Sequence, residues 1–155
     1  MKKSSSASIW KARRLLSSEI VQVTGCTEPA SVAFAFMMAS RHLRSPFDPR
    51  TGKAWLSASA EVLRNASTAV VPFLNRRGLR VVVAAGLSSK AGSFDLFPEV
   101  DLCAARTLLN RRGWLAVRRA SQKGVFVRAV LRMPGESVEV VISGHHDEVR
   151  AISRN

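Results

Sequence analysis

The sequence predicts an α+β fold in which an N-terminal helical hairpin packs on a small mixed or antiparallel sheet. In the first quarter of the chain, apolar residues recur every three or four positions, as in amphipathic helices. In the last quarter, runs rich in valine and isoleucine alternate with turn signals, as in strands. The chain has 155 residues, of which 46% are hydrophobic, enough for one core. We therefore expect a single domain over residues 9–155, after a disordered basic, serine-rich tail over residues 1–8.

The hairpin is predicted from two helical segments that meet at a glycine. The apolar positions of the first segment are Ile9, Ala12, Leu16, Ile20 and Val23, and this helix should end before Gly25. Thr27 is the predicted N-cap of the second helix, which has Glu28 and Pro29 in its first turn and extends to about Leu43.

The middle of the chain gives weaker signals. Residues 45–52 have the composition of a loop, residues 54–60 resemble a short strand, and residues 69–72 form another extended piece. Residues 79–87 (LRVVVAAGL) suit either a strand or a closely packed helix, and periodicity does not decide between them. A helix is predicted after Pro98, with Cys103 on its buried face and Gly113 just past its end.

The C-terminal part is predicted to be strands. They cover residues 114–117, 125–132 and 138–142, with a turn at 133–136 and a final strand at 149–152. Trp55 and Trp114 fall in strand-like stretches, so we expect core or interface positions for them rather than base-stacking platforms.

The formal net charge of +13 is the most unusual global property of the chain. The 18 arginines and 6 lysines are dispersed, many as adjacent arginine pairs. This pattern fits either a solvated basic surface or a polyanionic partner. Because no base-reading motif accompanies the charge, we expect at most non-specific nucleic-acid binding. No apolar run approaches the roughly 20 residues of a membrane span, and no signal core follows the N-terminus, so we expect no membrane association and a cytoplasmic protein.

One motif resembles a known family. The segment Gly25-Cys26-Thr27-Glu28-Pro29 is similar to the signature of the L-cysteine desulfidase and L-serine dehydratase alpha-subunit-like family, N-terminal domain. Family-like segments follow in the same order at residues 59–65, 71–72 and 141–145. The resemblance covers about residues 19–152.

The resemblance implies a lyase that converts L-cysteine or L-serine to pyruvate and ammonia with a 4Fe–4S cluster. It assigns Cys26 as a cluster ligand and, with His145, as a catalytic residue. It places Thr27, Glu28, Arg64 and Asn65 at a small amino-acid substrate, where Glu28 would face the ammonium and the last two would hold the carboxylate. Ordinary alternatives stay open: Glu28 as a first-turn carboxylate, His145 as a surface residue, and Arg64 and Asn65 in a solvated loop.

The position of Cys26 has a physical consequence of its own. A thiol just before a helix N-cap lies in the positive end of the helix dipole, which predicts a lowered pKa. We therefore expect Cys26 to be the more reactive of the two cysteines, with Cys103 buried.

Departures from the family limit the expected activity. The chain has only two cysteines, whereas a cubane cluster requires three or four thiolates. Residues 73–77 (FLNRR) replace a Gly-Thr-Gly-like loop, and His145-His146-Asp147 replaces His-Thr-Asn. The sequence thus predicts a lyase domain or split subunit that is inactive alone. A helical partner subunit would supply the remaining cysteines, and no cluster is expected on the isolated chain. The alternative is a catalytically degenerate basic binding or accessory protein.

Overall fold

The computed structural model describes residues 25–155, which form an α+β fold with four α-helices. The first helix of the predicted hairpin and the N-terminal tail lie outside the described residues. The helices are α1 (Thr27–Arg41), α2 (Ala60–Thr68), α3 (Leu79–Leu87) and α4 (Leu102–Leu109), with a 3₁₀ turn at Phe97–Glu99.

Residues 25–155 contain seven strands: β1 (Lys53–Ala58), β2 (Val70–Val71), β3 (Arg76–Arg77), β4 (Leu115–Arg119), β5 (Phe126–Met133), β6 (Glu136–Ser143) and β7 (Val149–Arg154). Five of them form one mixed sheet in the order β4-β1-β5-β6-β7. Strand β1 pairs in parallel with β4, and the other neighbours are antiparallel. Strands β2 and β3 form a separate two-stranded hairpin.

Helix α1 lies at the centre of the fold and is buried along most of its length. It packs on β5 and β6 on one side and on α3 on the other. The α1–α3 contact is close because both helices carry small residues where they meet. A Cβ added at Gly86 would lie 2.2 Å from the carbonyl oxygen of Ala33. Residues 79–87 are therefore a helix, and their small side chains match this close approach.

The two faces of the sheet differ in composition. Alternate residues of the central strands, such as Leu56, Leu131 and Val140, point to the helical layer and are fully buried. The opposite face carries Trp55 and a row of polar and charged residues that stay half-buried or exposed. Trp114, by contrast, is fully buried, and its Nε1 donates to the carbonyl of Leu108 at 3.0 Å.

The predicted C-terminal strands and the turn between β5 and β6 are confirmed, with Gly135 at φ +77° in that turn. The prediction that Cys103 is buried was wrong, because the side chain is exposed. Helix α4 buries Ala105, Leu108 and Leu109 instead, the residues spaced three and four apart that face the fold. The predicted short strand at residues 54–60 is confirmed as β1, and Arg64 and Asn65, for which a solvated loop was one alternative, lie on helix α2.

Candidate functional site

The Gly-Cys-Thr-Glu-Pro motif, residues 25–29, spans the start of α1. The N-cap is Cys26, in extended conformation at φ −82° and ψ 143°, and Thr27 is the first helical residue. The prediction of Thr27 as N-cap was therefore wrong by one position. The carbonyl of Cys26 accepts the first helical hydrogen bond, from Ala30 N at 3.2 Å. Its thiol is consequently closer to the first turn of the helix than expected.

Glu28 is the centre of a small polar cluster. Its Oε2 accepts hydrogen bonds from Cys26 Sγ at 3.0 Å and from Thr27 Oγ1 at 3.2 Å, while its Oε1 accepts from Asn65 Nδ2 at 2.9 Å. Asn65 lies on α2, 37 residues away along the chain. The fold thus joins four of the predicted site residues on one carboxylate, and we call Cys26, Thr27, Glu28 and Asn65 the Glu28 cluster.

The hydrogen bonds of the cluster change the acidity of its members. The bond from Cys26 is the largest cause that lowers the pKa of Glu28, to about 2, and the bond from Asn65 lowers it further. Partial burial raises the pKa of the Cys26 thiol, and the hydrogen bond to Glu28 and its negative charge raise it further. The expectation of a lowered pKa for Cys26 was therefore wrong. A neighbouring carboxylate opposes the thiolate that the helix N-terminus alone would favour.

A second segment of the chain lies against the motif. Gly25 has φ +114°, and a Cβ there would lie 3.1 Å from Cγ of Pro72. Beyond Pro72, Phe73 and Asn75 have positive φ values of 64° and 51°. These are the non-glycine residues of the described chain with a left-handed backbone, a conformation that glycine adopts without strain. Asparagine is one of the non-glycine residues that adopt this backbone more readily, whereas nothing in the sequence indicates it for Phe73.

The structure does not join the other two predicted site residues to the cluster. Arg64 lies on α2 beside Asn65 but lines a different surface depression, together with Glu61, Arg119 and Lys123. His145 lies in the turn between β6 and β7 and is exposed. The backbone N–H of Arg44, just after the C-terminus of α1, donates to the carboxylate of Glu136 at the start of β6. The N-terminus of α1 therefore lies at the other end of the sheet, where β6 ends and His145 follows. No hydrogen bond links His145 to the Glu28 cluster within residues 25–155.

Metal ligands are sparse in the described part of the chain. No group of three or more histidine, cysteine, aspartate or glutamate side chains converges there. Cys26 and Cys103 are both free and exposed, and only Cys26 is in the cluster. Of the two thiols in residues 25–155, that of Cys26 lies at the predicted site. No helix among these residues has the length and apolar character needed to cross a bilayer.

The fold and the site together define an α+β domain that carries a surface thiol–carboxylate–amide cluster. The chain is similar to UPF0597 proteins, a name that specifies no activity. One from Nitratidesulfovibrio vulgaris strain Miyazaki F is 31% identical over 145 residues, which are 88% of this chain and 31% of the relative. One from Clostridium perfringens is 24% identical over 144 residues, 90% of this chain and 33% of the relative.

A third relative, from Vibrio campbellii, is 29% identical over 138 residues, which are 84% of this chain and 31% of the relative. The chain thus spans about a third of the length of the curated relatives that it matches. No family model and no solved structure matches the chain significantly.

Proposed function

We propose that this chain is the N-terminal domain, or a split subunit, of an iron–sulfur-dependent lyase that acts on L-cysteine or L-serine. In the β-elimination, the α-proton and the β-substituent leave the substrate, the latter as sulfide or water. The resulting enamine is hydrolysed to pyruvate and ammonia. The observation that supports this best is the Glu28 cluster, where two family-like segments separated in sequence meet through the 2.9 Å bond from Asn65 to Glu28.

The loop after Pro72 gives a second line of support. Pro72 packs on Gly25 of the motif, so this loop starts beside the cluster. In the family that the motif resembles, a glycine-rich segment follows this proline. Phe73 and Asn75 adopt the left-handed backbone that suits glycine, although their side chains differ. The backbone path expected for the family is therefore compatible with the altered sequence.

The cluster residues would divide the work as follows. The low pKa of Glu28 keeps its carboxylate ionised near neutral pH, so it can attract a substrate ammonium group. Asn65 and Thr27 hold that carboxylate in place. Cys26 would be one ligand of the iron–sulfur cluster. His145 remains a predicted acid–base group, and Arg64 remains a predicted carboxylate-binding group. With one thiol in the described site, the chain is inactive alone, and a partner segment must supply the other cysteines.

About two thirds of each relative has no counterpart in this chain. The proposal requires a helical segment that carries the further cysteines. We also propose a cytoplasmic location, since the exposed thiols of Cys26 and Cys103 persist in a reducing compartment. The competing function is a catalytically degenerate basic accessory protein, which the charge of +13 favours.

Anaerobic reconstitution tests the lyase proposal. The full chain is mixed with iron and sulfide, with and without the co-expressed remaining two thirds of the Nitratidesulfovibrio relative. We expect iron–sulfur absorbance and pyruvate formation from L-cysteine or L-serine only with the partner segment. Cys26→Ser should abolish both, and Cys103→Ser should preserve both. A stable complex without a cluster, or a cluster indifferent to Cys26→Ser, would contradict the proposal and leave the accessory function.

A further inference from the structure

The basic residues are dispersed along the sequence, but many of their side chains lie together on the surface of the folded chain. Four of them, Arg76, Arg77, Arg80 and Arg112, line one depression of about 450 Å³ between the β2–β3 hairpin, α3 and the end of α4. The guanidinium of Arg80 donates to the carbonyl of Leu109, which fixes α3 to α4 at this place. Arginines from three separate segments therefore share one concave surface.

A second basic depression adjoins the first. It measures about 700 Å³, shares Asn110 and Arg112 with the first, and adds Arg50, Lys53 and Arg111. The ammonium of Lys53 donates to the carbonyl of Gly113 at 2.7 Å, so the start of β1 is joined to the segment after α4. The positive surface thus extends from α3 to the edge of the sheet.

A third depression, of about 330 Å³, lies on the sheet face opposite the helices. It contains Trp55 together with Arg118, Arg128 and Arg132. Lys53 pairs directly with Arg132 across β1 and β5, which makes this surface continuous with the second depression. The guanidinium carbon of Arg132 lies 5.4 Å from the centre of the Trp55 ring. A cation–aromatic stack is therefore displayed at the end of a basic path.

Negative charge cancels part of this surface but leaves most of it positive. None of the described residues that line the three depressions is acidic. Two neighbouring carboxylates form ion pairs, Asp48 with Arg50 at 3.1 Å and Glu139 with Arg128 at 2.6 Å. The depressions gather ten of the 24 basic residues of the chain. We call this set the arginine belt: Arg50, Lys53, Arg76, Arg77, Arg80, Arg111, Arg112, Arg118, Arg128 and Arg132.

We propose that the arginine belt binds single-stranded nucleic acid. A row of guanidinium groups matches a row of phosphates in charge and in hydrogen-bond geometry. The Arg132–Trp55 stack offers a planar surface to an unpaired base, which a duplex keeps inside its helix. The carboxylates of an acidic protein would complement the charge but would not stack on the Arg132–Trp55 pair. Recognition through phosphates and stacking is independent of base sequence, and it does not depend on the lyase proposal.

The test uses the full chain and a labelled 12-nucleotide single strand of mixed sequence, followed by fluorescence anisotropy at several salt concentrations. The variant Arg77→Gln/Arg112→Gln removes two exposed belt residues. The control Arg44→Gln/Arg106→Gln removes two exposed arginines that line none of the three depressions, so both doubles have the same net charge. We expect the belt double to bind at least tenfold more weakly and the control to change less than twofold. The slope of log affinity against log salt is negative, and its magnitude should be smaller by about 1.4 in the belt double, at roughly 0.7 per lost phosphate contact.

A second variant tests the stack. Trp55→Leu keeps apolar bulk without an aromatic ring and should weaken binding of the single strand about tenfold, whereas Trp55→Phe should weaken it less. Circular dichroism checks that each variant is folded, and the exposed arginine doubles test the belt even if Trp55→Leu unfolds. Equal losses in the two arginine doubles would overturn the proposal. So would binding of a matched duplex as tight as that of the single strand, or equally effective competition by polyglutamate, which would indicate an acidic protein partner.

Discussion

The Cys26 thiol donates its hydrogen to the Glu28 carboxylate across 3.0 Å, and this contact determines the chemistry of both groups. The carboxylate is stabilised as an anion, while the thiol is stabilised in its protonated form. A helix N-terminus is therefore not sufficient to make a cysteine reactive. Partial burial, together with the Glu28 carboxylate in the first turn, raises the pKa of Cys26 despite the helix N-terminus.

Replacing Glu28 should make Cys26 more reactive. In Glu28→Gln the negative charge is lost, so the pKa of Cys26 falls and the thiolate fraction near neutral pH rises. We expect iodoacetamide alkylation of Cys26 to become a few-fold faster, measured by mass spectrometry of the two cysteine peptides. Exposed Cys103 serves as the internal control with an unchanged rate. An unchanged ratio of the two rates would show that Glu28 does not govern the thiol.

The same carboxylate should make stability depend on acid pH. Its folded-state pKa of about 2 lies below the ordinary 4.5, so the folded form is favoured above pH 4.5 and this contribution is lost as the pH falls towards 2. The group is largely solvated, so we expect only about 1 kcal/mol. Urea unfolding at pH 6 and at pH 3 should therefore show a smaller loss of stability for Glu28→Gln than for the unchanged chain. Equal losses would contradict the assignment.

At the scale of elements, the α1–α3 pair depends on one glycine. Gly86 lies against the backbone of Ala33, with 2.2 Å between an added Cβ and the carbonyl oxygen, and backbone cannot rotate away as a side chain can. Gly86→Ala should therefore separate the helices and cost about 2 to 3 kcal/mol of unfolding free energy in urea titrations. Gly92→Ala is the matched control, because nothing lies within 4 Å of its added Cβ and it should change stability by less than about 0.5 kcal/mol. Similar values for the two variants would refute the close packing.

The β2–β3 hairpin contains a strained position that glycine should relieve. Phe73 has φ +64° and is 53% exposed, so its side chain contributes little burial to offset the cost of a left-handed backbone. That cost is roughly 1–2 kcal/mol for a residue with a Cβ. Phe73→Gly should consequently stabilise the fold by about 0.5 kcal/mol, after the greater chain entropy of glycine is subtracted. Val70→Gly, in the extended part of the same hairpin, should instead destabilise it, and a loss in both variants would argue against strain at Phe73.

At the scale of the whole molecule, most of the unfolding free energy should come from the apolar layer between α1 and the sheet. Leu131 is fully buried on the helix-facing side of β5, whereas Ile152 on edge strand β7 is 38% exposed. Leu131→Ala should cost about 2–5 kcal/mol, since it leaves a cavity in the core. Ile152→Ala should cost less than about 1 kcal/mol because the site is open to solvent. Chemical unfolding of both variants, monitored by circular dichroism, measures the difference, and comparable losses would mean that the described layer is not the main core.

The elements with strong local patterns could be predicted from the amino-acid sequence. The alternation in residues 126–143 and the turn at Gly135 specified β5, β6 and their hairpin, because both the pleat and the turn are local properties. The small apolar residues after Pro29 likewise specified the buried helix α1. The motif also indicated Cys26, Thr27 and Glu28, and the family-like segment at residues 59–65 indicated Asn65, which the fold brings to the same carboxylate.

The remaining features could not be predicted in this way, because they depend on contacts between distant segments. The helix at 79–87 follows from its packing against Ala33, and the exposure of Cys103 follows from which face of α4 meets the fold. The raised pKa of Cys26 depends on its partial burial and on the position of the Glu28 carboxylate. The arginine belt has the same origin, since side chains dispersed along the sequence become neighbours only when α3, α4 and the open sheet face are assembled. The sequence gives the net charge, whereas the fold sets the positions of the charged side chains and therefore where a charged surface forms.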